Sequence, residues 1–93
     1  QEAIRLNSQH AAANFNLGRS LEETGDLQEA ARHYRRAVEL HPDDVQYGLA
    51  AAHACGQLGD LEQAVLFYEQ VLSVEPQNGE AQEALAELAQ DQP

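Results

Sequence analysis

The side chains able to do chemistry in this 93-residue chain are four histidines (His10, His33, His41, His53), one cysteine (Cys55) and 16 carboxylates. A helical metal site needs ligands one turn apart, and no two of these histidines stand at i, i+3 or i, i+4. A nucleophile needs an activating base beside it, and no serine or cysteine sits with a histidine in such a motif. The adjacent acids Asp43-Asp44 follow Pro42, a place where capping a helix is sufficient reason for a carboxylate. The six glycines fall in helix and turn slots rather than in a phosphate-cradling loop. No metal, cofactor or catalytic residue is therefore expected, and the segment reads as non-enzymatic. What remains is recognition through charge and apolar contact.

Charge is distributed unevenly. All five basic residues (Arg5, Arg19, Arg32, Arg35, Arg36) lie in the first 36 positions, where they balance five acids. Positions 37–93 carry acids only, and the chain's net charge of −11 resides there. Phosphate neutralisation needs Lys and Arg, so nucleic acid is not an expected partner, nor is an anionic membrane. The acidic half is either a solvated face or an attractor for a basic partner. One cysteine allows no internal disulfide and leaves the redox compartment open. The chain opens without Met in what reads as the middle of a helix, so it is expected to be a piece of a longer protein.

The elements that must position these groups are set by a repeat. A shift of 34 residues lays Gly25-Asp26-Leu27 on Gly59-Asp60-Leu61, and Ala30, Tyr34 and Pro42 on Ala64, Tyr68 and Pro76. That divides the chain into the end of one unit (1–10), two full units (11–44 and 45–78), and the first helix of a further unit or a capping helix (79–93). In the first full unit Asn14, Leu17, Gly18 and Leu21 follow the spacing of one helix face. Gly25 suits the left-handed turn that ends a helix. Asp26 with Glu29 forms a capping-box pattern for the next helix, and Asp60 with Gln63 repeats it. Ala30, Tyr34 and Ala37 share a face of that second helix, which must stop before Pro42. One such unit cannot bury its own apolar face, so neighbours must stack. The expectation is an all-α solenoid of stacked antiparallel helix pairs.

This pattern resembles the tetratricopeptide repeat. Leu17-Gly18, Ala30, Tyr34, Ala37 and Pro42 match that family's signature positions in the first unit, and Ala64, Tyr68 and Pro76 match in the second. Asn14 and Gly48 stand where the family has a large aromatic, Ala51-Ala52 replaces the Leu-Gly pair, and Val71 replaces the third Ala. The resemblance implies a right-handed helical-hairpin solenoid whose first helices line a concave peptide-binding face. On that face periodicity groups Ala12, Phe15, Arg19 and Glu22, then Gln46, Leu49, His53 and Gly56, then Glu80, Glu83, Glu87 and Gln90. The expected groove residues are Ala12, Phe15, Arg19, Glu22, Gln46, Leu49, His53, Glu83 and Glu87. The groove would run from apolar and basic to acidic, fitting a segment with an apolar anchor, an acidic group near Arg19 and basic residues toward the last helix.

Each residue also has a plainer reading. Phe15 and Leu49 could pack against a neighbouring helix, and Arg19 could pair with Glu22 or Glu23. His53 could be a surface or packing residue, Cys55 a buried inert thiol, and Arg32, Arg35 and Arg36 a solvated convex patch. The family's carboxylate clamp for chaperone tails does not carry over, because the chain has no Lys and its third first-helix is acidic. A protein- or peptide-binding adaptor is the expected function. Its rival is a structural element that self-associates through open ends at Ile4, Leu6, Leu85 and Leu88, and marginal stability alone is expected. An RNA-reading repeat of 35 residues fits neither the period nor the charge.

Overall fold

Among the described residues the second to fifth helices start on a carboxylate or carboxamide cap, and the first four stop at a glycine or before a proline, so the punctuation of the chain is local. The computed structural model describes the backbone of residues 2–90 and the side chains of residues 9–90. Five α-helices follow in order: α1 Glu2–Glu23, α2 Leu27–Leu40, α3 Val45–Gln57, α4 Leu61–Val74 and α5 Gly79–Gln90. No strand occurs among the described residues. No helix is long and apolar enough to cross a membrane, again among the described residues.

Gly25 and Gly59 adopt φ of 89° and 84°, the left-handed region where a side chain is strained. Around each, two reversed hydrogen bonds close the helix end. The Gly25 N–H donates to Glu22 O at 3.1 Å and the Asp26 N–H to Leu21 O at 2.8 Å; Gly59 and Asp60 repeat this with Gly56 O and Cys55 O. The Asp26 carboxylate then accepts from the Glu29 N–H at 3.4 Å, and Asp60 from Gln63 at 3.3 Å. Only this half of the expected capping box forms. The Asp26 N–H already serves Leu21 O, so the Glu29 side chain turns instead to Arg32. Asp44 caps α3 through the Tyr47 N–H at 3.2 Å, and Asn78 caps α5 through the Ala81 N–H at 2.9 Å.

At the other helix ends His41 and Glu75 leave helical geometry (φ −146° and −126°), as a residue before proline must. The 34-residue register places Ser8 where Pro42 and Pro76 stand. Without that proline nothing breaks the backbone, and α1 runs uninterrupted across the expected boundary between residues 10 and 11.

Packing follows the repeat. α1 pairs with α2, α3 with α4, α2 with α3 and α4 with α5, which is a helical-hairpin solenoid. The molecule measures 47 × 31 × 17 Å. One core gathers Ala11, Ala30, Tyr34, Ala37, Tyr47, Ala51 and Ala54; a second gathers Ala52, Cys55, Ala64, Tyr68, Val71 and Ala81, and half-buried Phe67 touches both. Alanines dominate because the helices approach closely. A methyl group added at Gly18 would stand 2.7 Å from the Tyr34 ring, and one at Gly48 would stand 2.7 Å from Val71 Cγ2.

Two expectations about packing need correction. Leu17, assigned to the core stripe, is 46% exposed. Its counterpart Ala51 is buried because α2 precedes α3, whereas no described helix precedes α1. Leu85 and Leu88, expected to be left unpaired, are half-buried against the second core, because α5 lies on α4 and covers Tyr68 and Val71. Ile4 and Leu6 lie outside the described side chains.

Candidate functional site

The repeat places α1, α3 and α5 on one side of the molecule and α2 and α4 on the other, and the first side carries a groove. Its floor begins at Phe15, half-buried, with its ring centroid 5.7 Å from Tyr34 and 4.9 Å from Tyr47. The Arg19 guanidinium lies 5.9 Å above the Phe15 ring, within cation–π range. Arg19 makes no ion pair among the described residues, and Glu22 is engaged elsewhere, accepting from the Tyr34 hydroxyl at 2.6 Å. Phe15, Arg19, Gln46, Leu49, Ala50, His53 and Glu80 enclose an open depression of about 440 Å³. A second depression of about 270 Å³ adjoins it, sharing His53 and running over Gly56, Tyr68 and Ala84 to Glu87. The lining passes from aromatic and cationic at α1 to anionic at α5.

Of the residues expected on this face, the structure brings Phe15, Arg19, Gln46, Leu49 and His53 together in the first depression and places Glu87 in the second. Ala12 is half-buried and lines neither; Glu22 is held by Tyr34; Glu83 is exposed and lines neither. Phe15 fulfils both of its readings, since one edge packs on two tyrosines and another faces the groove. Ala50 is not grouped on this face by periodicity; Glu80 is grouped there but left out of the expected groove set. Glu80 carries a legible signal, standing 34 positions after Gln46, whereas Ala50 is a half-buried neighbour of Leu49 with no such signal.

Burial raises the pKa of Tyr34, Tyr47 and Tyr68, and neighbouring carboxylates raise it further: Glu22 for Tyr34, Asp44 for Tyr47, Glu80 and Glu87 for Tyr68. Cys55 is 2% exposed and its thiol is also pushed up by burial, with Arg35 acting in the opposite sense. That environment disfavours the reactive thiolate.

The opposite face holds a larger open depression of about 840 Å³ between α2 and α4, lined by Arg32, Arg35, Arg36, Gln63, Phe67 and Gln70 among others. Arg32 pairs with Glu29 at 3.4 Å and Arg36 with Glu39 at 3.3 Å, both on solvent-exposed side chains. Such pairs contribute little to stability. They leave Arg35 as the one arginine of the patch without an ion pair among the described residues. His33 is held on this side by donating from Nδ1 to Asn14 Oδ1 at 3.0 Å, while the Asn14 amide donates to His10 O. Through its hydrogen bond to His33, Asn14 thus ties α1 to α2 at the position where the family places an aromatic.

Two family models match, one over residues 1–45 and one over residues 45–88, and both describe the tetratricopeptide repeat. The chain belongs to the tetratricopeptide repeat family. Repeats of this family are in general protein-interaction modules. A curated human relative, protein O-mannosyl-transferase TMTC2, is 49% identical over 43 residues, which is 46% of this chain and 5% of that protein. The likeness therefore concerns about one repeat, and the transferase activity in that name is a statement about that protein.

Proposed function

We propose that this segment is an adaptor module that holds an extended or helical segment of a partner protein in the groove formed by α1, α3 and α5. The observation that carries the reading is the 440 Å³ depression spanning three helices, with an apolar floor at Phe15, Leu49 and Ala50 and charged groups at both ends. A mostly apolar concavity with a few convergent polar groups is the usual form of a ligand site. Charge gives it polarity. Arg19 suits an acidic or carbonyl group of the partner, whereas Glu80, Glu83 and Glu87 suit basic residues further along.

The test is a peptide selected by display against the 93-residue chain, then measured with Arg19→Glu and His53→Glu. Both side chains are exposed, so neither change disturbs the core. Phe15→Ala would be a poorer choice, because Phe15 also braces Tyr34 and Tyr47. Affinity reduced by either exchange supports the groove; binding indifferent to both removes it.

A second reading has one observation in its favour. Leu17 is exposed at the position where its counterpart Ala51 receives a preceding helix, so α1 could accept a further helix of a longer array or of another copy. Sedimentation that depends on concentration, and becomes independent of it with Leu17→Glu, would favour this assembly role.

A further inference from the structure

Within the groove, the two repeats differ at one position whose consequence is a notch. In the first repeat the Tyr34 hydroxyl donates to Glu22 Oε1 at 2.6 Å. Thirty-four residues on, the corresponding pair is Tyr68 and Gly56, and the carboxylate is missing. Tyr68 is 7% exposed, yet its hydroxyl makes no hydrogen bond among the described residues. No described side-chain polar atom is both sealed from solvent and unpartnered, so this hydroxyl opens onto the surface. The place where it opens is the depression of about 270 Å³ left by Gly56, floored by Ala64 and Ala84 and walled by Leu88, His53 and Glu87. A methyl group on Gly56 would meet nothing closer than Ala64 Cβ at 4.0 Å, so packing does not demand the glycine.

We propose that this notch receives a cationic side chain, lysine or arginine, from the partner segment held in the groove. The inference rests on the groove reading above. An apolar stem fits against Ala64, Ala84 and Leu88, and a terminal N–H donates to Tyr68 Oη and to the Glu87 carboxylate. An anionic side chain would reproduce the Glu22 contact, but here it would face Glu80 and Glu87, the same groups that, after burial, keep the Tyr68 hydroxyl protonated. Glu87 lines the notch, Glu80 acts on Tyr68, and positions 37–93 contain no base, so the local field selects a cation.

The test uses the 93-residue chain at physiological salt. The probes are fluorescein-labelled dodecapeptides with leucine anchors at varied spacing, each carrying one arginine or, in its place, neutral citrulline. Gly56→Gln fills the notch and offers a carbonyl to Tyr68 without altering net charge; Tyr68→Phe removes the hydroxyl and keeps the ring. Wild type should bind the best arginine peptide about tenfold tighter than its citrulline twin, the worth of one charge-assisted hydrogen bond. Gly56→Gln should abolish that preference while melting no lower than wild type. Tyr68→Phe should reduce it.

Equal binding of both peptides, unchanged by Gly56→Gln, would overturn the notch and leave the groove standing. Binding of neither peptide at any anchor spacing would overturn both. Self-association without peptide that Gly56→Gln reverses would overturn the partner-peptide assignment in favour of an arginine from a second copy.

Discussion

Replacing Gly18 and Gly56 by alanine, one at a time, makes the same chemical change within two helices of one architecture and should move stability in opposite directions. At Gly18 the added methyl would sit 2.7 Å from Tyr34 Cδ1 and Cε1. That ring cannot easily retreat: Tyr34 is 1% exposed, its face meets Phe15 at 5.7 Å, and its hydroxyl is anchored on Glu22 at 2.6 Å. Overpacking a fitted core costs about 1–3 kcal/mol, and weakening the Tyr34–Glu22 bond adds on the order of 1 kcal/mol. The gain in helix propensity from glycine to alanine offsets about 1 kcal/mol. The net loss is about 1–3 kcal/mol, a fall in melting temperature of about 5–20 °C for a domain of this size. At Gly56 the nearest atom is 4.0 Å away, leaving only the propensity gain. A rise of about 2–8 °C is expected there, from about 0.5–1 kcal/mol. Urea denaturation followed by helical circular dichroism measures both, with the slope checked for constancy. A Gly18→Ala variant as stable as wild type would refute the close seating of Tyr34 on α1. A destabilised Gly56→Ala would refute the open notch.

Further outcomes are expected. Asp26→Ala and Asp60→Ala should each lower stability by about 0.5–1 kcal/mol in urea melts, since each carboxylate caps a helix through one long hydrogen bond. The three tyrosines bind their protons more tightly in the folded chain than in the unfolded chain, whose tyrosines titrate at about pH 10. The unfolded state therefore sheds protons first, so the tyrosine contribution should be constant below about pH 10 and lost above it. The Cys55 thiol, raised by burial from about 9, starts a smaller decline about one unit lower. Urea midpoints between pH 8 and 11.5 would show this, and Tyr34→Phe should flatten the decline. Cys55 should react with a thiol reagent only at the rate of unfolding, because it is buried with its thiolate disfavoured. Rapid labelling of the native chain would contradict that.

Much of this architecture was legible because the signals are local. Gly25, Gly59, Pro42 and Pro76 end helices through their own backbone restrictions, and Asp26 and Asp60 start the next ones, whatever surrounds them. Failures arose where a residue's fate depends on a neighbour. Leu17 has the spacing of a core residue, but burial needs a helix on its outer side, and periodicity does not reveal whether one is there. Leu85 and Leu88 looked unpaired because α5 was imagined as half of a missing hairpin, whereas α4 already offers it a surface. In the groove, helical periodicity placed Phe15, Arg19, Gln46, Leu49 and His53 on one side. It could not foresee that Glu22 would be consumed by a tyrosine twelve residues later. That contact, and its absence between Gly56 and Tyr68, lies between helices and is visible only when they are packed.

The claim that the α1, α3 and α5 face is a ligand groove is tested most directly by mapping a display-selected peptide onto the chain through amide chemical shifts. Perturbations should concentrate at Phe15, Arg19, Leu49, Ala50, His53 and Glu80, and the Arg19→Glu and His53→Glu variants should weaken them. Perturbations centred instead on Arg32, Arg35, Gln63 and Phe67, with the α1, α3 and α5 amides unmoved, would contradict the claim and place binding on the opposite face.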